Sequence, residues 1–158
     1  MEPSSRGRSL YEHAGGDVEL CRLETTFYDS VLADPLLHPL FGEGQPHHVE
    51  HLTMFTAESF GGPNRFSREV GFAHLIDMHR GLRITEPQRI RFVELYLAAL
   101  DEVGMPTDPE FREAVRDHVV FGSHVATQNS NAETDEELHP LREVPRWTWP
   151  GDKDPLRD

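Results

Sequence analysis

The sequence is poor in three features that define common protein classes: cysteine, positive charge and long apolar runs. Cys21 is the only cysteine among 158 residues, so the chain cannot form an internal disulfide. Acidic residues outnumber basic ones by 28 to 15, and the net charge of −13 excludes the basic face that nucleic acids and anionic membranes require. No run approaches the roughly 18 apolar residues that span a bilayer. We therefore expect neither a nucleic-acid nor a membrane partner.

The first residues also lack the apolar stretch of a secretory signal peptide, which predicts a cytoplasmic protein. A length of 158 residues suits one domain with a sizeable core. Hydrophobic residues make up 37% of the chain and are scarcest near its ends. We predict a disordered lead over 1–9, one domain over 10–130 and a polar, acidic tail over 131–158. The tail carries Trp147 and Trp149, which could dock on the fold or on an oligomer partner, such as the second copy of a homodimer.

Apolar residues recur at helical spacing along the middle of the chain. Steps of three and four residues predict a helix that starts near Asp17 and ends before Pro35. The same spacing predicts a second helix from His48 to Gly61 and a short third element over 68–79. The three core faces are formed by Leu20, Leu23, Phe27 and Val31, by His48, Leu52 and Phe55, and by Phe72, Ile76 and His79.

Two further helices begin with a capping-box signal, a threonine followed three residues later by Gln or Glu, each with a proline in the first turn. The box at Thr85 predicts a helix that ends at Gly104, and the box at Thr107 predicts one that ends at about Gln128. No segment shows the alternating pattern of a β-strand. The sequence therefore predicts an all-α domain of about five helices.

His79 ends the short element over 68–79 and shares its face with Phe72 and Ile76. A core-facing histidine in the last turn of a helix can hold a metal or a haem iron from one side. Neutral imidazole suits iron, and a hydrogen bond from the second ring nitrogen fixes its tautomer. Such a histidine can equally be a structural residue that is hydrogen-bonded in the core.

Several short motifs, in this order and at these separations, resemble those of the truncated haemoglobins, closest to the second group (group II), over roughly Leu10 to Gln128. The motifs are Tyr11 to Gly16, Phe27–Tyr28, Asp34 to Leu37 ahead of Phe41, Leu52 to Phe55, Gly61 to Pro63, and Met78–His79 with Leu82 and Ile84 behind them. The resemblance implies an all-α, globin-like fold, a truncated two-over-two helical sandwich around haem b (iron protoporphyrin IX).

Carried over residue by residue, the resemblance implies that His79 is the proximal ligand to the iron. Tyr28 would donate a hydrogen bond to a diatomic ligand on the distal side, and Phe41 would pack against the porphyrin. Further apolar residues would wall the pocket, namely Leu52, Phe55, Leu75, Leu82 and Phe92. In a chain that holds no haem, Tyr28 and Phe41 would be ordinary core aromatics.

The distal-helix position that faces the iron falls on His48. The preceding loop is one residue shorter than the group's, so His47 or His51 could fill the position instead, and all three could face solvent. His51 lies about one turn further on, where the resemblance places a cationic partner of a haem propionate. Arg80 and Arg83, beside the proximal position, are either solvated helix-end charges or propionate partners.

One position departs from the resemblance. Group II members carry a tryptophan thirteen residues past the proximal ligand, where this chain has Phe92. Phenylalanine keeps the apolar bulk but lacks the indole N–H donor. A bound ligand would then depend on Tyr28 and on any distal histidine. We expect easier release of oxygen, or easier oxidation of the iron, than in a relative that bears the tryptophan.

The sequence thus predicts a haem protein that binds oxygen or another diatomic ligand, such as carbon monoxide or nitric oxide, for oxygen transport or nitric oxide handling. The alternative is a haem enzyme, a peroxidase or, with a reductase, a nitric oxide dioxygenase. Its candidate catalytic residues are Tyr28 and His48. A third interpretation is a haem-free helical interaction domain, since a fold does not dictate function.

Overall fold

The structure, a computed structural model, describes residues 7–150, and within this range the chain folds into α-helices without any β-strand. The α-helices are α1 (Leu10–Ala14), α2 (Gly16–Ala33), α3 (His38–Phe41), α4 (His48–Ser59), α5 (Arg65–Glu69), α6 (Phe72–His79), α7 (Glu86–Val103) and α8 (Pro109–Asn131). A short 3-10 helix follows at Asp135–Glu137. The predicted all-α class is confirmed. The expectation of about five helices is wrong, because short helices flank the long ones. In the described part of the chain, no helix is both long and apolar enough to cross a membrane.

The short element predicted over 68–79 is two helices. The backbone breaks at Gly71, whose φ of 90° is a conformation that glycine adopts without steric cost. The break separates α5 from α6. Helix α6 is therefore a separate unit of eight residues with His79 as its last residue.

One predicted capping box forms and the other does not. At the start of α7, the Thr85 hydroxyl accepts a hydrogen bond from the backbone N–H of Gln88, whose side chain accepts one from Thr85 N in return. The prediction at Thr107 is wrong, because α8 begins one residue later, with Asp108 as its N-cap. The carboxylate of Asp108 makes no capping bond and lies 2.9 Å from His13 Nε2 instead.

The four long helices form two pairs, and this arrangement confirms the predicted two-over-two sandwich. Helix α2 packs against both α4 and α7, and α7 packs against α8. Four phenylalanine side chains lie fully buried in the interior, namely Phe27, Phe60, Phe66 and Phe111. Burial of such rings removes about 150–250 Å² each from water and provides much of the stability of a domain this size.

The chain continues past α8 and returns to the core. Trp147 and Trp149 are 5% and 3% exposed, and both belong to the main hydrophobic core. The Trp147 backbone N–H donates to Ser59 O at 2.7 Å, and Trp149 Nε1 donates to Arg8 O at 2.7 Å. The two tryptophans therefore dock on the chain's own helical domain, the first of the two docking sites that the sequence analysis considered.

The predicted disordered lead and the end of the predicted tail lie largely beyond the described residues. Positions 1–6 and 151–158 fall outside them. Within the remainder of the lead, Ser9 is the N-cap of α1 and forms a capping box with Glu12.

Candidate functional site

The imidazole of His79 is held in one tautomer by its own helix. His79 Nδ1 lies 2.9 Å from the carbonyl oxygen of Leu75, one turn earlier in α6. A carbonyl oxygen only accepts, so Nδ1 carries the hydrogen and the neutral ring keeps its lone pair on Nε2. Burial lowers the pKa of His79, and the bond to Leu75 opposes this only in part. The ring is therefore a neutral imidazole whose second nitrogen is able to bind a metal.

A second group of side chains comes together where α2, α3 and α4 meet. Tyr28 Oη is hydrogen-bonded to His48 Nδ1, and the Gln45 backbone N–H donates to the same tyrosine oxygen at 3.1 Å. Phe41 completes the group, with its ring centroid 6.0 Å from that of Tyr28 and 6.1 Å from that of His48, edge to face in both pairs. Three residues that the sequence placed in one pocket thus lie in mutual contact.

The loop before α4 approaches Tyr28 closely because it contains a glycine. Gly44 has a φ of 90°, and a Cβ atom built on it would lie 3.0 Å from Tyr28 Oη and 3.2 Å from Leu32 Cδ1. A side chain at this position would crowd the ends of Tyr28 and Leu32, and the left-handed backbone would strain it. A glycine at position 44 therefore suits the close approach of this loop to Tyr28.

The surroundings of His48 disfavour its protonated form. The pKa of His48 is lowered, first by burial and then by the nearby imidazoles of His51 and His79. His48 is consequently neutral near pH 7.

The three candidate distal histidines have different surroundings. His48 is held against Tyr28, as described above. The side chain of His47 is 72% exposed and lies 3.6 Å from Glu50 Oε1. The ring of His51 stacks on that of His47 at a centroid distance of 6.1 Å. Among residues 7–150, His48 is the one of the three that contacts Tyr28.

The apolar residues expected to wall the pocket remain partly accessible. Leu52 and Phe92 pack on the main core, and Phe55 and Leu75 pack on a second cluster built around Phe66. Leu82, in the loop after α6, is 39% exposed. Partly exposed apolar side chains that border polar groups are typical of ligand sites.

Arg80 and Arg83 are both engaged by carboxylates. Arg80 Nη1 lies 2.8 Å from Asp135 Oδ1, and Arg83 Nη2 lies 3.7 Å from Glu133 Oε2. These contacts favour the interpretation of both arginines as paired charges near the end of α6 over that of propionate partners.

A polar network that the sequence analysis missed lies beneath the distal residues. Glu24 is fully buried, and its Oε2 accepts hydrogen bonds from Thr56 Oγ1 at 2.8 Å and Tyr96 Oη at 2.7 Å. Within residues 7–150, its Oε1 has no hydrogen-bond partner. Burial raises the pKa of Glu24 to about 7, although the two donors oppose the shift.

The position of Glu24 in the sequence is a signal of this network. It falls four residues before Tyr28 and three before Phe27, on the same apolar stripe of α2. Tyr96 in turn lies four residues after Phe92 in α7. The network is therefore one helical turn from two residues of the candidate site. A charged residue on an apolar stripe is the sequence signal that could have revealed it.

His118 is a second buried ionisable residue that the sequence did not single out. Burial lowers its pKa to about 4, and its ring contacts those of Phe55, Phe60 and Trp147 at centroid distances between 5.0 and 6.2 Å. It is a neutral core residue that joins α4 to the C-terminal tryptophans.

Taken together, the helical sandwich, the neutral imidazole at the end of a short helix and the Tyr–His pair near it define a globin. The bacterial-like globin family matches residues 9–129. The chain belongs to this family, and the predicted relationship to the truncated haemoglobins is confirmed.

Three bacterial haemoglobins illustrate the similarity. The group 2 truncated hemoglobin YjbI of Bacillus subtilis (strain 168) is 30% identical over 103 residues, which are 65% of this chain and 76% of that protein. The crystal structure of a hemoglobin from Chloroflexus aurantiacus has a TM-score of 0.68 and 31% identity, and the match covers 79% of this chain and 99% of that one. The group II truncated hemoglobin of Bacillus anthracis gives a TM-score of 0.70 at 25% identity, over 86% of this chain and 99% of that one.

Membership of the globin family implies haem and the binding of oxygen or another diatomic ligand. The residues present fit a haem. His79 offers a neutral ring with a free Nε2, which is the nitrogen that a proximal ligand needs once Nδ1 is bonded to a backbone carbonyl. The accessible side chains of Leu52, Phe55, Leu75, Leu82 and Phe92 are of the apolar type that contacts a porphyrin.

Proposed function

We propose that this globin binds haem b through His79 Nε2 and binds a diatomic ligand, oxygen, carbon monoxide or nitric oxide, on the side of Tyr28 and His48. The observation that supports it most is the bond from His79 Nδ1 to Leu75 O, because this bond leaves Nε2 unprotonated. The hydrogen-bonded Tyr28 and His48 supply polar groups for the ligand. When bound, the haem iron supplies the bond to the ligand and a reversible change of oxidation state.

The hydrogen bond between Tyr28 and His48 allows two arrangements, which differ in the tautomer of His48. Gln45 N–H occupies one lone pair of Tyr28 Oη. If His48 Nδ1 is unprotonated, Tyr28 donates its hydrogen to His48, and the Nε2–H of His48 is then the available donor. If Nδ1 carries the hydrogen, His48 donates to Tyr28, and the tyrosine hydroxyl is free to donate to the ligand. Either tautomer thus leaves one donor for a diatomic ligand.

The apolar residues have a separate role in this proposal. Phe41, Leu52, Phe55 and Phe92 would keep water away from the ligand. Exclusion of water limits the loss of bound oxygen as superoxide, since protons and a polar solvent favour that loss. Phe92 adds bulk without a donor, so the polar contribution comes from Tyr28 and His48 alone.

Absorption spectra of the purified protein test the proposal. Ferric, ferrous and ferrous–carbon monoxide spectra should show the Soret and visible bands of a His-ligated haem b, with one equivalent of haem per chain. A protein that purifies colourless and binds no added haemin contradicts the proposal and favours the haem-free interaction domain.

A haem enzyme is the second candidate, and the state of His48 favours it. This imidazole is neutral and held against Tyr28, so it is able to accept a proton from hydrogen peroxide and return it, the role of a general acid–base catalyst. Nitric oxide dioxygenase activity would need a reductase in the same compartment. We propose that the protein is located in the cytoplasm.

Peroxide turnover separates the two candidates. A peroxidase should turn over hydrogen peroxide faster than free haemin does, and His48→Ala should reduce the rate by about 10²–10⁴-fold, the usual contribution of a general acid–base catalyst. Turnover no better than that of free haemin removes the peroxidase.

A further inference from the structure

The segment that follows His79 is fixed by one residue at the end of α8. The carbonyl oxygen of Ser130 accepts hydrogen bonds from Gly81 N at 3.1 Å and Arg83 N at 3.2 Å. Its hydroxyl accepts a third, from Ile84 N at 3.0 Å, and donates to Thr127 O at 2.8 Å. Ser130 is 1% exposed, so water does not compete for these bonds.

The backbone of this segment needs such support. Arg83 has a φ of 55°, the one positive φ outside glycine among residues 7–150. A non-glycine residue in this left-handed region is sterically disfavoured, and the bond from its N–H to Ser130 offsets this cost. Asn131 adds a bond from Nδ2 to Ile84 O at 2.9 Å. Two consecutive residues therefore determine the path of the chain over 81–84.

The chain beyond Ser130 shares a hydrophobic cluster with α6. Val144 is 3% exposed and lies in one buried cluster with Phe72 and Ile76 of α6. Leu138 and Leu141 pack on the same cluster. The extension therefore shares the apolar environment of the helix that carries His79, and its Asp135 contacts Arg80 at the end of that helix.

This segment lies beyond the family match, which ends at residue 129, one residue before Ser130. The solved haemoglobin from Chloroflexus aurantiacus is matched over 99% of its own length and covers 79% of this chain. The one from Bacillus anthracis covers 86% of this chain, so its match reaches past residue 129. The contacts made by residues 130–150 are thus made by sequence that the family match does not include.

We propose that residues 130–150 form a strap that sets the orientation of the His79 imidazole, and that Ser130 is its central positioning residue. The proposal rests on the proposed function, since His79 is taken as the iron ligand. The strap would act through the backbone at 80–84 and through the apolar contacts on α6. Ser130 itself would touch neither the haem nor its ligand.

Two readouts on Ser130→Ala test the strap. In the protein as purified, amide hydrogen exchange at Ile84 should accelerate about tenfold, because its acceptor is removed. In the ferrous, ligand-free haem protein, the iron–imidazole stretching band in resonance Raman spectra should shift or broaden. Haem transfer to an acceptor apoglobin should become about threefold to tenfold faster.

Ser123→Ala is the matched control. Ser123 lies two turns earlier in α8, is 7% exposed and makes the same type of bond, from Oγ to Val120 O three residues back. The Ser123→Ala variant should show the same amide hydrogen exchange at Ile84 and the same iron–imidazole band as the wild type. Val144→Ala, which keeps every hydrogen bond of Ser130, should shift the band in the same direction as Ser130→Ala.

The outcomes separate the strap from the proposed function. An unchanged iron–imidazole band in both Ser130→Ala and Val144→Ala overturns the strap, even if Ile84 exchanges faster, because the contacts would then be only structural. Unchanged Ile84 exchange overturns it as well. A protein that takes up no haem is a failure of the proposed function, and it is recognised from the absorption spectrum before either variant is made.

Discussion

Tyr28 Oη and His48 Nδ1 are joined by a hydrogen bond between α2 and α4, and the Gln45 amide donates to the same tyrosine oxygen. The two side chains share one hydrogen bond, so the loss of either changes the donor that the other presents. Their contributions to ligand binding should therefore not add.

A double-mutant cycle measures this coupling. Tyr28→Phe should speed oxygen release by about one to two decades, as expected when a strong hydrogen bond of about 1.5–3 kcal/mol is lost. His48→Leu should have a smaller effect, because it frees the tyrosine hydroxyl. The coupling energy from stopped-flow oxygen displacement should lie between about 0.5 and 3 kcal/mol. Strictly additive effects would contradict a ligand-binding role for the hydrogen bond between Tyr28 and His48.

Phe92→Trp tests the departure from the group II pattern. The Phe92 ring packs edge to face on Phe27, at a centroid distance of 4.8 Å. An indole at this position would add an N–H donor near the ligand, and oxygen release should slow by about 10- to 100-fold. Phe92→Leu, which adds no donor, is the control. An oxygen dissociation rate that is the same in Phe92→Trp and the wild type argues against any role of position 92 in ligand retention.

Glu24 should make the stability of the protein depend on pH. Its folded-state pKa of about 7 is above the ordinary value of 4.5, so the folded protein binds this proton more tightly than the unfolded chain does. The favourable contribution is fully present below about pH 4.5 and is lost as the pH rises through 7. A shift of this size corresponds to about 2–4 kcal/mol.

The Glu24→Gln variant removes this dependence. Urea unfolding gives the difference in the free energy of unfolding between the variant and the wild type. This difference should be more favourable to the variant at pH 8 than at pH 5, by about 2 kcal/mol. Tyr96→Phe deletes a donor that lowers the Glu24 pKa, so it should move the transition to higher pH. If the free energies of unfolding of the wild type and Glu24→Gln change in parallel between pH 5 and 8, the raised pKa of Glu24 in the folded protein is contradicted.

Trp147 tests how firmly the C-terminal extension is docked. Trp147→Ala empties a buried site and should lower the free energy of unfolding by about 3–5 kcal/mol. Its exposed neighbour offers a control, since Arg146→Ala should change stability by less than about 0.5 kcal/mol. Urea unfolding followed by circular dichroism measures both. Equal, small effects would show that the extension adds little to the fold.

The long helices were predictable because their signals are local. The stripe of Leu20, Leu23, Phe27 and Val31 gives α2, and the Thr85 capping box forms as the sequence indicates. The Thr107 box does not form, because α8 begins one residue later with Asp108 as its N-cap. The carboxylate of Asp108 does not cap the helix either, and it pairs with His13, which is distant in sequence. Local patterns predict the long helices well, and they do not register such tertiary contacts.

The site was predictable in its composition more than in its connections. Helical spacing did not decide which of His47, His48 and His51 contacts Tyr28. The choice depends on the path of the preceding loop, where Gln45 also bonds to Tyr28. Ser130 could not be found from sequence, since its bond to Ile84 joins residues 46 apart.

His79→Gly tests the central claim, that this imidazole is the protein ligand to the iron, most directly. The variant opens a cavity where the side chain was. The account predicts loss of haem or a changed Soret band, with a wild-type-like ferrous spectrum restored by added imidazole. A His79→Gly protein whose Soret absorbance and carbon monoxide affinity equal those of the wild type, without imidazole, would contradict it.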